Sequence, residues 1–457
     1  MPVPLIVQGI TEGVSSIPYA VPVLRAAPWL LLLAALKYYF GGARNSSERL
    51  MHSKVVMITG GTSGIGAAIV HDLASRGAQI VLLTRHAPSD LFLVDYINDV
   101  RKSTGNQLIY AEQVDLSSLH SIRTFATRWV DNAPPRRLDM IILCAHTSVP
   151  SGVARKPTVD GLDEEWQVNY LANFHLLSIL SPALRAQPPD RDVRIIFATC
   201  SSYAAASLDL ELAKKPVIES SSSSSAKSSS KQTSRSGRTT GTDTKQHQQQ
   251  QQQQKQRQKK NNMYGMSKLA LMSFAQSFQK HLSSYKRPDN FPPNTRVLIV
   301  DPGLSRTPGT RRWLTGGSLR GLLLYLLTWP LWWLVLKSPQ QGAQSFLYAA
   351  MDAKFGRGTT GGWLIRECQD FEKFARSEVR DEAIGKRVWE FSEKQIQEKE
   401  KEGAVRRALE KKEQEAAEKK KNKNKAAADA ANSSSSSSSE QQQQQQPGSR
   451  RSQKATK

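Results

Sequence analysis

The chain has 457 residues, of which 63 are Lys or Arg and 40 are Asp or Glu, so its formal net charge is +23. Much of this excess lies in low-complexity stretches, which favours a solvated charge run or attraction to an anionic membrane over nucleic-acid binding. The basic residues are not interleaved with aromatic ones, as nucleic-acid binding would favour. Three widely separated cysteines exclude a disulfide framework and indicate reduced thiols on the cytosolic side.

Residues 1–45 form a first unit with an apolar centre. The stretch from Ala20 to Phe40 is interrupted by Pro22, Arg25 and Pro28. No basic region precedes it, so a cleaved signal peptide fits poorly. After Arg25 only about 15 apolar residues remain, fewer than the roughly 20 that a straight transmembrane helix needs. These features favour a membrane-embedded anchor or hairpin over a spanning helix or a buried core helix.

From residue 54 onward, short apolar runs alternate with amphipathic stretches. This pattern is typical of a parallel sheet covered by helices on both faces. It predicts an α/β, doubly wound parallel sheet made of residues 50–205 and 262–370, with its ligand at the carboxyl edge of the strands. The predicted strands are 54–59, 79–84, 107–114, 138–145, 193–198 and 297–301, and the predicted helices are 64–76, 89–103, 118–131, 162–184 and 263–284.

The turn after the first strand has the composition of a phosphate cradle. Residues 59–66 read Thr-Gly-Gly-Thr-Ser-Gly-Ile-Gly. Its glycines permit a sharp turn, close approach of a pyrophosphate and tight packing of the next helix. The N-terminal N–H groups of that helix attract the anion. The candidate nucleotide contacts are Gly60, Thr62, Ser63, Gly64, Ile65 and Gly66.

A second motif, Tyr264-Gly-Met-Ser-Lys268, places a phenol and an ammonium group four residues apart on one helical face. A nearby ammonium ion favours the phenolate. We therefore expect Tyr264 to donate a proton nearer neutral pH than a free tyrosine, whose pKa is about 10.

Four segments of distinct composition interrupt or follow the predicted domain. Two are rich in Ser and Gln and lack the apolar residues that would offset chain entropy, so they are predicted to be disordered. A third is an apolar block whose Trp and Tyr residues favour a membrane-contacting lid over a buried helix pair. The fourth predicts a charged, solvent-exposed helix. They are the insert 206–261, the lid 319–336, the helical extension 371–431 and the tail 432–457.

In this order, the two motifs resemble those of the short-chain dehydrogenase/reductase family. Residues 160–171, 338–344 and 360–364 resemble signatures of its retinol-dehydrogenase-like group. The likeness covers roughly residues 53–203 and 262–368, and it implies a Rossmann-like catalytic domain. The anchor, lid and polar insert look like those of fungal lipid-droplet and endoplasmic-reticulum oxidoreductases of that group.

The resemblance implies catalytic roles for three residues. Tyr264 would be the proton donor to a carbonyl, and Lys268 would lower its pKa and hold the nicotinamide ribose. Asn169 would complete a water-linked proton relay, whereas Asn173 stands at the wrong place in the motif. Family members often dimerise through the helices that hold the Asn and the Tyr, so a homodimer is an open expectation.

The resemblance also implies contacts along the cofactor. Asp115 would lie at the adenine ring, Pro302 and Gly303 at the nicotinamide end, and Thr307 near the carboxamide and the pyrophosphate. Asn169, Tyr264 and Lys268 would contact the cofactor as well.

The position of the family's catalytic serine is ambiguous. After the fifth strand the chain reads Ala198-Thr-Cys-Ser-Ser-Tyr203. An ungapped alignment places Cys200 there, and a slip of one residue places Ser201 there. A thiol is a weaker hydrogen-bond donor than a hydroxyl. We therefore assign the role to Ser201, with Cys200 and then Ser202 as alternatives.

A second departure lies after the fourth strand. Leu143-Cys-Ala-His146 stands where the family usually has Asn-Asn-Ala-Gly. We expect this change to loosen the turn beside the cofactor without removing a group that hydride transfer needs.

The residues after the second predicted strand bear on the choice of cofactor. Enzymes that select NAD commonly have an acid there, which binds the ribose hydroxyl. This chain has Thr84 followed by Arg85 and His86. Because an arginine pairs with a 2′-phosphate, NADP(H) is favoured over NAD, unless Arg85 is only a solvated loop residue.

These observations predict an NADP(H)-dependent oxidoreductase that acts on a lipophilic carbonyl or alcohol, such as a retinoid, a sterol or a long-chain lipid. Two apolar blocks near the domain predict monotopic attachment to the endoplasmic reticulum or to lipid droplets, with the catalytic domain facing the cytosol. The alternative is a non-catalytic lipid-droplet or membrane-remodelling protein that retains the nucleotide-binding fold.

Overall fold

The computed structural model describes residues 19–134, 136–150, 153, 155–214, 262–356 and 361–440. The chain divides into two units after Gln397. The first unit contains the sheet and all the residues discussed below, and the second contains the continuation of the final helix. The predicted disorder of 215–261 and 441–457 and the start of the predicted anchor lie outside the described residues.

The first unit is built on one eight-stranded sheet in the order β3-β2-β1-β4-β5-β6-β7-β8. Every neighbouring pair is parallel except the last. The order reverses between β1 and β4, which opens a crevice at the carboxyl edge. The strands are β1 Val55–Thr59, β2 Gln79–Thr84, β3 Ile109–Gln113, β4 Met140–Leu143, β5 Val193–Ala198, β6 Thr295–Asp301, β7 Trp363–Arg366 and β8 Gln369–Asp370. The predicted doubly wound sheet is confirmed, with two short strands added at one edge.

Helices cover both faces of the sheet and enclose one apolar core on each face. The fully buried strands explain the continuous apolar runs in the sequence. The main helices of the described chain are α1 Ala20–Gly41, α2 Gly64–Ser75, α3 Leu91–Thr104, α4 Leu119–Val130, α5 Ala172–Arg185, α6 Leu210–Lys214, α7 Met263–Ser283, α8 Pro308–Leu314, α9 Leu319–Leu327, α10 Trp329–Val335, α11 Pro339–Met351 and α12 Glu382–Glu440.

The ordered region before the insert extends further than predicted. Helix α6 occupies residues that were assigned to the disordered insert. Ala213 is buried, and its carbonyl oxygen accepts a hydrogen bond of 3.0 Å from Nε2 of Gln395. The expected boundary at residue 205 is therefore wrong, because α6 has a packing partner on α12.

One face of the first turns of α12 is buried, whereas the prediction for 371–431 was a helix exposed to solvent on all sides. Val388 and Ser392 are fully buried. The ring of Trp389 packs at centroid distances of 5.3 Å from Phe174 and 5.6 Å from Phe274, on α5 and α7. The sequence reading missed this face because the helix is charged on its other sides. The helix also continues to Glu440, into the residues predicted as a disordered tail.

Helix α1 runs unbroken through Pro28. By length and composition its stretch Pro22–Gly41 could cross a membrane, and most of its residues are exposed. The expectation that its apolar stretch is too short is therefore wrong. Helices α9 and α10 are likewise exposed, with Leu323 at 71% and Leu327 at 79%, which excludes the buried helix pair.

Candidate active site

The glycine-rich turn connects β1 to α2 and forms a cradle that larger residues would fill. A Cβ atom on Gly66 would lie 2.1 Å from the carbonyl oxygen of Gly60, and one on Gly60 would lie 2.8 Å from the backbone of Ala145. Gly60 also has a φ of +68°, a conformation that favours glycine. Ser63 precedes α2 without using its side chain as a cap. The backbone N–H groups of this turn fit a pyrophosphate.

The remaining residues of the turn differ in what they can offer. Thr62 is partly exposed and Ser63 is exposed, so both hydroxyls are accessible at the edge of the sheet. Ile65 is 8% exposed, and its side chain lies against Gly342 of α11. Ile65 can therefore contact a nucleotide only through its backbone, while its side chain fixes the helix.

The adenine end of the predicted site is formed by the ends of β2 and β3. The carboxylate of Asp115 accepts hydrogen bonds from the backbone N–H of Ser117 at 2.9 Å and from its hydroxyl at 2.7 Å. Arg85 is exposed directly after β2. Within the described part of the chain, its guanidinium has no ion pair with a carboxylate, so it is available to an anionic ligand.

The segment after β6 closes the other side of the cleft. The carboxylate of Asp301 accepts a 2.9 Å bond from the backbone N–H of Gly303, which follows Pro302 and has a φ of +71°. Thr307 caps α8, since its hydroxyl accepts from the N–H of Thr310. A Cβ atom on Gly64 would lie 3.3 Å from the Thr307 methyl group. Thr307 is therefore beside the glycine-rich turn.

Tyr264 and Lys268 lie on the first turns of α7. The side chain of Asn262 caps this helix by accepting from the N–H of Gly265 at 2.9 Å. Lys268 is 2% exposed, and its Nζ donates to the carbonyl oxygen of Ala198, at the end of β5, at 3.1 Å. Nζ lies 5.9 Å from the centroid of the Tyr264 ring. The sheet edge thus fixes the ammonium beside the phenol.

Burial controls the protonation of both groups. It raises the pKa of the Tyr264 phenol well above its ordinary value, and the neighbouring Cys200, Glu165 and Asp301 raise it further. Burial also lowers the pKa of Lys268. The expected lowering of the Tyr264 pKa by Lys268 is not seen in this arrangement, where desolvation raises the pKa. The phenol is held protonated, which is the form that donates a proton.

The turn after β5 places Cys200, not Ser201, at the phenol. The Cys200 Sγ lies 3.7 Å from the Tyr264 hydroxyl and 2.8 Å from the Ser202 hydroxyl. The Ser201 hydroxyl donates instead to the Asp301 carboxylate at 3.0 Å. The backbone is extended at Cys200, and a 3₁₀-helix begins at the next residue, so the adjacent side chains diverge. The assignment of Ser201 is not supported by this geometry, and the ungapped alignment had pointed to Cys200.

Asn169 lies in a π-helical turn, Gln167–Leu171, inside the segment predicted as one continuous helix. Such turns are frequent at functional sites. Its side chain accepts from the N–H of Thr147 at 2.7 Å and donates to the carbonyl of Thr147 at 2.9 Å. It also donates to the Ser267 hydroxyl at 3.3 Å. Asn173, set aside in the sequence reading, donates to the Asn169 carbonyl at 2.9 Å.

The loop after β4 is held firmly, contrary to the expectation for its unusual sequence. The hydroxyl of Thr147 donates to Glu164 at 3.0 Å, and the N–H of Val149 donates to Glu165 at 2.8 Å. His146 extends from this loop, with its ring 6.5 Å from that of Tyr264. Sequence reasoning noted His146 only as a departure from the family. Its place at the cleft makes it a candidate substrate contact.

Comparison with known proteins supplies the family. A sequence profile described as short chain dehydrogenase matches residues 54–208. An uncharacterized oxidoreductase of Schizosaccharomyces pombe is 40% identical over 381 residues, 83% of this chain and 90% of that protein. The chain belongs to the short-chain dehydrogenase/reductase family. An uncharacterized oxidoreductase of Saccharomyces cerevisiae is 33% identical, covering 90% of this chain and 96% of that protein.

A third relative indicates the group within the family. Retinol dehydrogenase 13 of Mus musculus is 26% identical over 360 residues, 78% of this chain and 87% of that protein. The retinol-dehydrogenase-like resemblance is confirmed. As a member of this family, the protein is an enzyme, an oxidoreductase that uses a nicotinamide dinucleotide, NAD(P)(H). The turn fits that cofactor because Gly60 and Gly66, where a Cβ atom would meet the backbone, allow the tight bend that directs the N–H groups at the start of α2 toward a pyrophosphate.

Proposed function

We propose that the protein is an NADP(H)-dependent oxidoreductase that interconverts a carbonyl and an alcohol on a lipophilic substrate, such as a retinoid, a sterol or a long-chain lipid. The observation that carries this proposal is the meeting of Tyr264, Cys200 and Lys268 at the end of β5. They stand on the same sheet edge as the glycine-rich turn. The relative named retinol dehydrogenase supports a lipophilic substrate.

Each residue of the site would have a separate role in the reaction at the substrate carbonyl. The bound nicotinamide supplies or accepts the hydride. Tyr264 transfers its phenolic proton to the substrate oxygen, a role suited to general acid catalysis. The Cys200 thiol, 2.8 Å from the Ser202 hydroxyl, would orient the same oxygen. Lys268 would position the cofactor ribose, and Asn169 would hold the proton relay.

Tyr264 would handle the proton in either direction of the reaction. Its phenol would donate to a carbonyl oxygen during reduction, and the phenolate would accept the proton of an alcohol during oxidation.

The preference for NADP(H) rests on Arg85. It is exposed at the end of β2 and follows Thr84, where an acid would favour NAD. A guanidinium pairs with a 2′-phosphate through charge-assisted hydrogen bonds. Asp115, Pro302, Gly303 and Thr307 would contact the rest of the cofactor.

We also propose that the enzyme binds to the cytosolic face of the endoplasmic reticulum or to lipid droplets. Support comes from the exposed apolar helices α1, α9 and α10. Attachment through helices that lie in the membrane surface suits a droplet, whose phospholipid monolayer cannot hold a spanning helix. A homodimer through α5 and α7 would have to displace Trp389, so we expect dimerisation, where it occurs, to use another face.

The test is consumption of NADPH by the detergent-solubilised protein with a panel of retinal, ketosteroids, and long-chain ketones and aldehydes. We expect turnover with at least one apolar carbonyl and faster turnover with NADPH than with NADH. Reduction of small polar carbonyls alone would contradict the lipophilic substrate. Faster turnover with NADH would contradict the role of Arg85.

A further inference from the structure

Two cations lie over two tryptophans where α1 meets the lid. The Lys37 Nζ is 4.6 Å from the ring centroid of Trp333 and donates to the carbonyl oxygen of the same residue. The Arg306 guanidinium carbon is 6.0 Å from the ring centroid of Trp329. Trp329 and Trp333 are four residues apart on α10 and therefore share one face of that helix. The contacts bring the two cations to the same end of the molecule.

The two segments that carry these cations contain no acidic residue, and the nearby Glu367 carboxylate is paired with Lys337. Residues 19–47 and 302–351 contain no Asp or Glu. Among the described residues, neither Lys37 nor Arg306 has an ion pair with a carboxylate. Burial and the nearby Arg306 both lower the pKa of Lys37, which indicates that the two charges act on each other. The basic residues of the two segments are Arg25, Lys37, Arg44, Arg306, Arg311, Arg312, Arg320 and Lys337.

Contacts with the sheet hold both sides of this cluster in place. The Glu367 carboxylate accepts from the backbone N–H of Ala43 at 3.1 Å and from Lys337, which ties the end of α1 to β7. The N–H of Arg306 donates to the carbonyl of Lys337 at 2.8 Å, and the N–H of Lys337 donates to that of Leu304 at 3.0 Å. The chain segments before and after the lid are therefore hydrogen-bonded to each other, at Leu304, Arg306 and Lys337. A preformed site loses less entropy when it binds.

The cluster borders a large exposed apolar surface. Tryptophan and tyrosine suit the boundary between headgroups and acyl chains, and cations at that level meet lipid phosphates. The surface consists of exposed residues of α1, α9 and α10, among them Trp29, Leu30, Leu31, Leu323, Leu327 and Leu331.

We propose that Lys37 and Arg306 form a binding site for the phosphate of an anionic phospholipid. The proposal rests on the membrane attachment proposed above and names the lipid class that it recognises. Trp329 and Trp333 would lie beside the headgroup, and the leucines of α9 and α10 would enter the acyl region. The site would set the depth and orientation of the cleft at the membrane.

The test compares two double variants of the full chain on vesicles. Lys37→Gln with Arg306→Gln removes the proposed site. Lys102→Gln with Lys286→Gln removes the same charge from exposed positions elsewhere. Sedimentation with phosphatidylcholine vesicles, with and without phosphatidylserine, gives the partition coefficient of each, and melting temperatures confirm that each is folded.

The site variant should lose about 30-fold in partitioning to phosphatidylserine vesicles, because each cation near an anionic surface contributes about 1 kcal/mol. The control variant should lose less than about threefold, since exposed lysines outside the cluster are screened by solvent and make no contact with a bound headgroup. On pure phosphatidylcholine the two variants should match the unmodified protein. Equal losses for both variants on phosphatidylserine would overturn the site. NADPH consumption in detergent tests the proposed function separately, because no vesicle is present there.

Discussion

The turn after β1 and the turn after β5 lie at the same edge of the sheet. They differ in which of their atoms can contact a ligand. The first presents backbone N–H groups, and its requirement is space: a Cβ atom on Gly66 would overlap the carbonyl oxygen of Gly60. The second presents side chains, and its requirement is direction: Cys200 faces Tyr264 while Ser201 faces Asp301. A backbone site is fixed by which residues are glycine, whereas a side-chain site also depends on the path of the turn.

The largest loss of turnover should come from changing Tyr264, the side chain that faces the turn after β5. Tyr264→Phe removes only the phenolic hydroxyl, so turnover should fall by about 10²–10⁴-fold, the usual contribution of a general acid. NADPH affinity, measured by fluorescence titration, should stay nearly unchanged. If more than a few per cent of activity remained, another group would be the proton donor. Full activity loss with loss of NADPH binding would instead indicate misfolding.

A single added methyl group should disrupt the glycine-rich turn after β1. Gly66→Ala places a Cβ atom 2.1 Å from the Gly60 carbonyl oxygen, so the turn must shift. Overpacking costs about 1–3 kcal/mol, and NADPH affinity should fall by up to about 10²-fold. Gly105→Ala is the matched control. It strains a backbone with φ +70° but meets no atom within 4 Å, so it should lower stability without changing NADPH affinity. Equal losses of NADPH affinity in both variants would contradict the proposal that the glycine-rich turn binds the cofactor.

The same contrast explains which features of the fold and the site could be predicted from the sequence. The sheet and the glycine-rich turn followed from apolar runs and glycine spacing, which are local properties of the backbone. The buried face of α12 did not, because it depends on tertiary packing: Val388 is buried in the core, and Trp389 is half-buried against α5 and α7. The direction of Cys200 depended on the 3₁₀-helix that follows it, and the raised pKa of Tyr264 depended on burial that sequence spacing does not reveal.

A series at the β5 turn tests which side chain orients the substrate oxygen. Cys200→Ala should lower kcat by about 10–10²-fold, as expected for loss of one carbonyl donor. Ser201→Ala should change kcat less than about threefold, since its hydroxyl bonds Asp301. Cys200→Ser should retain activity, because a hydroxyl is the stronger donor. Steady-state kinetics with a saturating carbonyl substrate measures all three, and a larger loss for Ser201→Ala would restore the original assignment.

A change at Arg85, at the adenine end of the cofactor site, should have a smaller effect, and only on the KM for NADPH. Arg85→Ala removes one charge-assisted contact to the 2′-phosphate, so the KM for NADPH should rise by about tenfold. The KM for NADH should not change, because NADH lacks that phosphate. Lys102→Ala removes an exposed cation from α3 and serves as the control. Equal changes for NADPH and NADH would mean that Arg85 does not select the cofactor.

The smallest effect should follow the largest change in sequence, deletion of residues 219–260. Their composition predicts disorder, so we expect them to contribute nothing to the packed core. The chain before and after the insert comes together at Ala206 and Gly265, since a Cβ atom on Gly265 would lie 3.0 Å from the Cβ of Ala206. The residues left between these points, 207–218 and 261–264, can therefore form the shortened connection. Shortening a loop gains only about 0.6 kcal/mol per halving of its length. Turnover and NADPH affinity should thus stay within about twofold, and the melting temperature should hold or rise slightly. A large fall in melting temperature would show that the insert packs against the domain, and α6, whose carbonyl at Ala213 already binds Gln395, would be the first place to look for that contact.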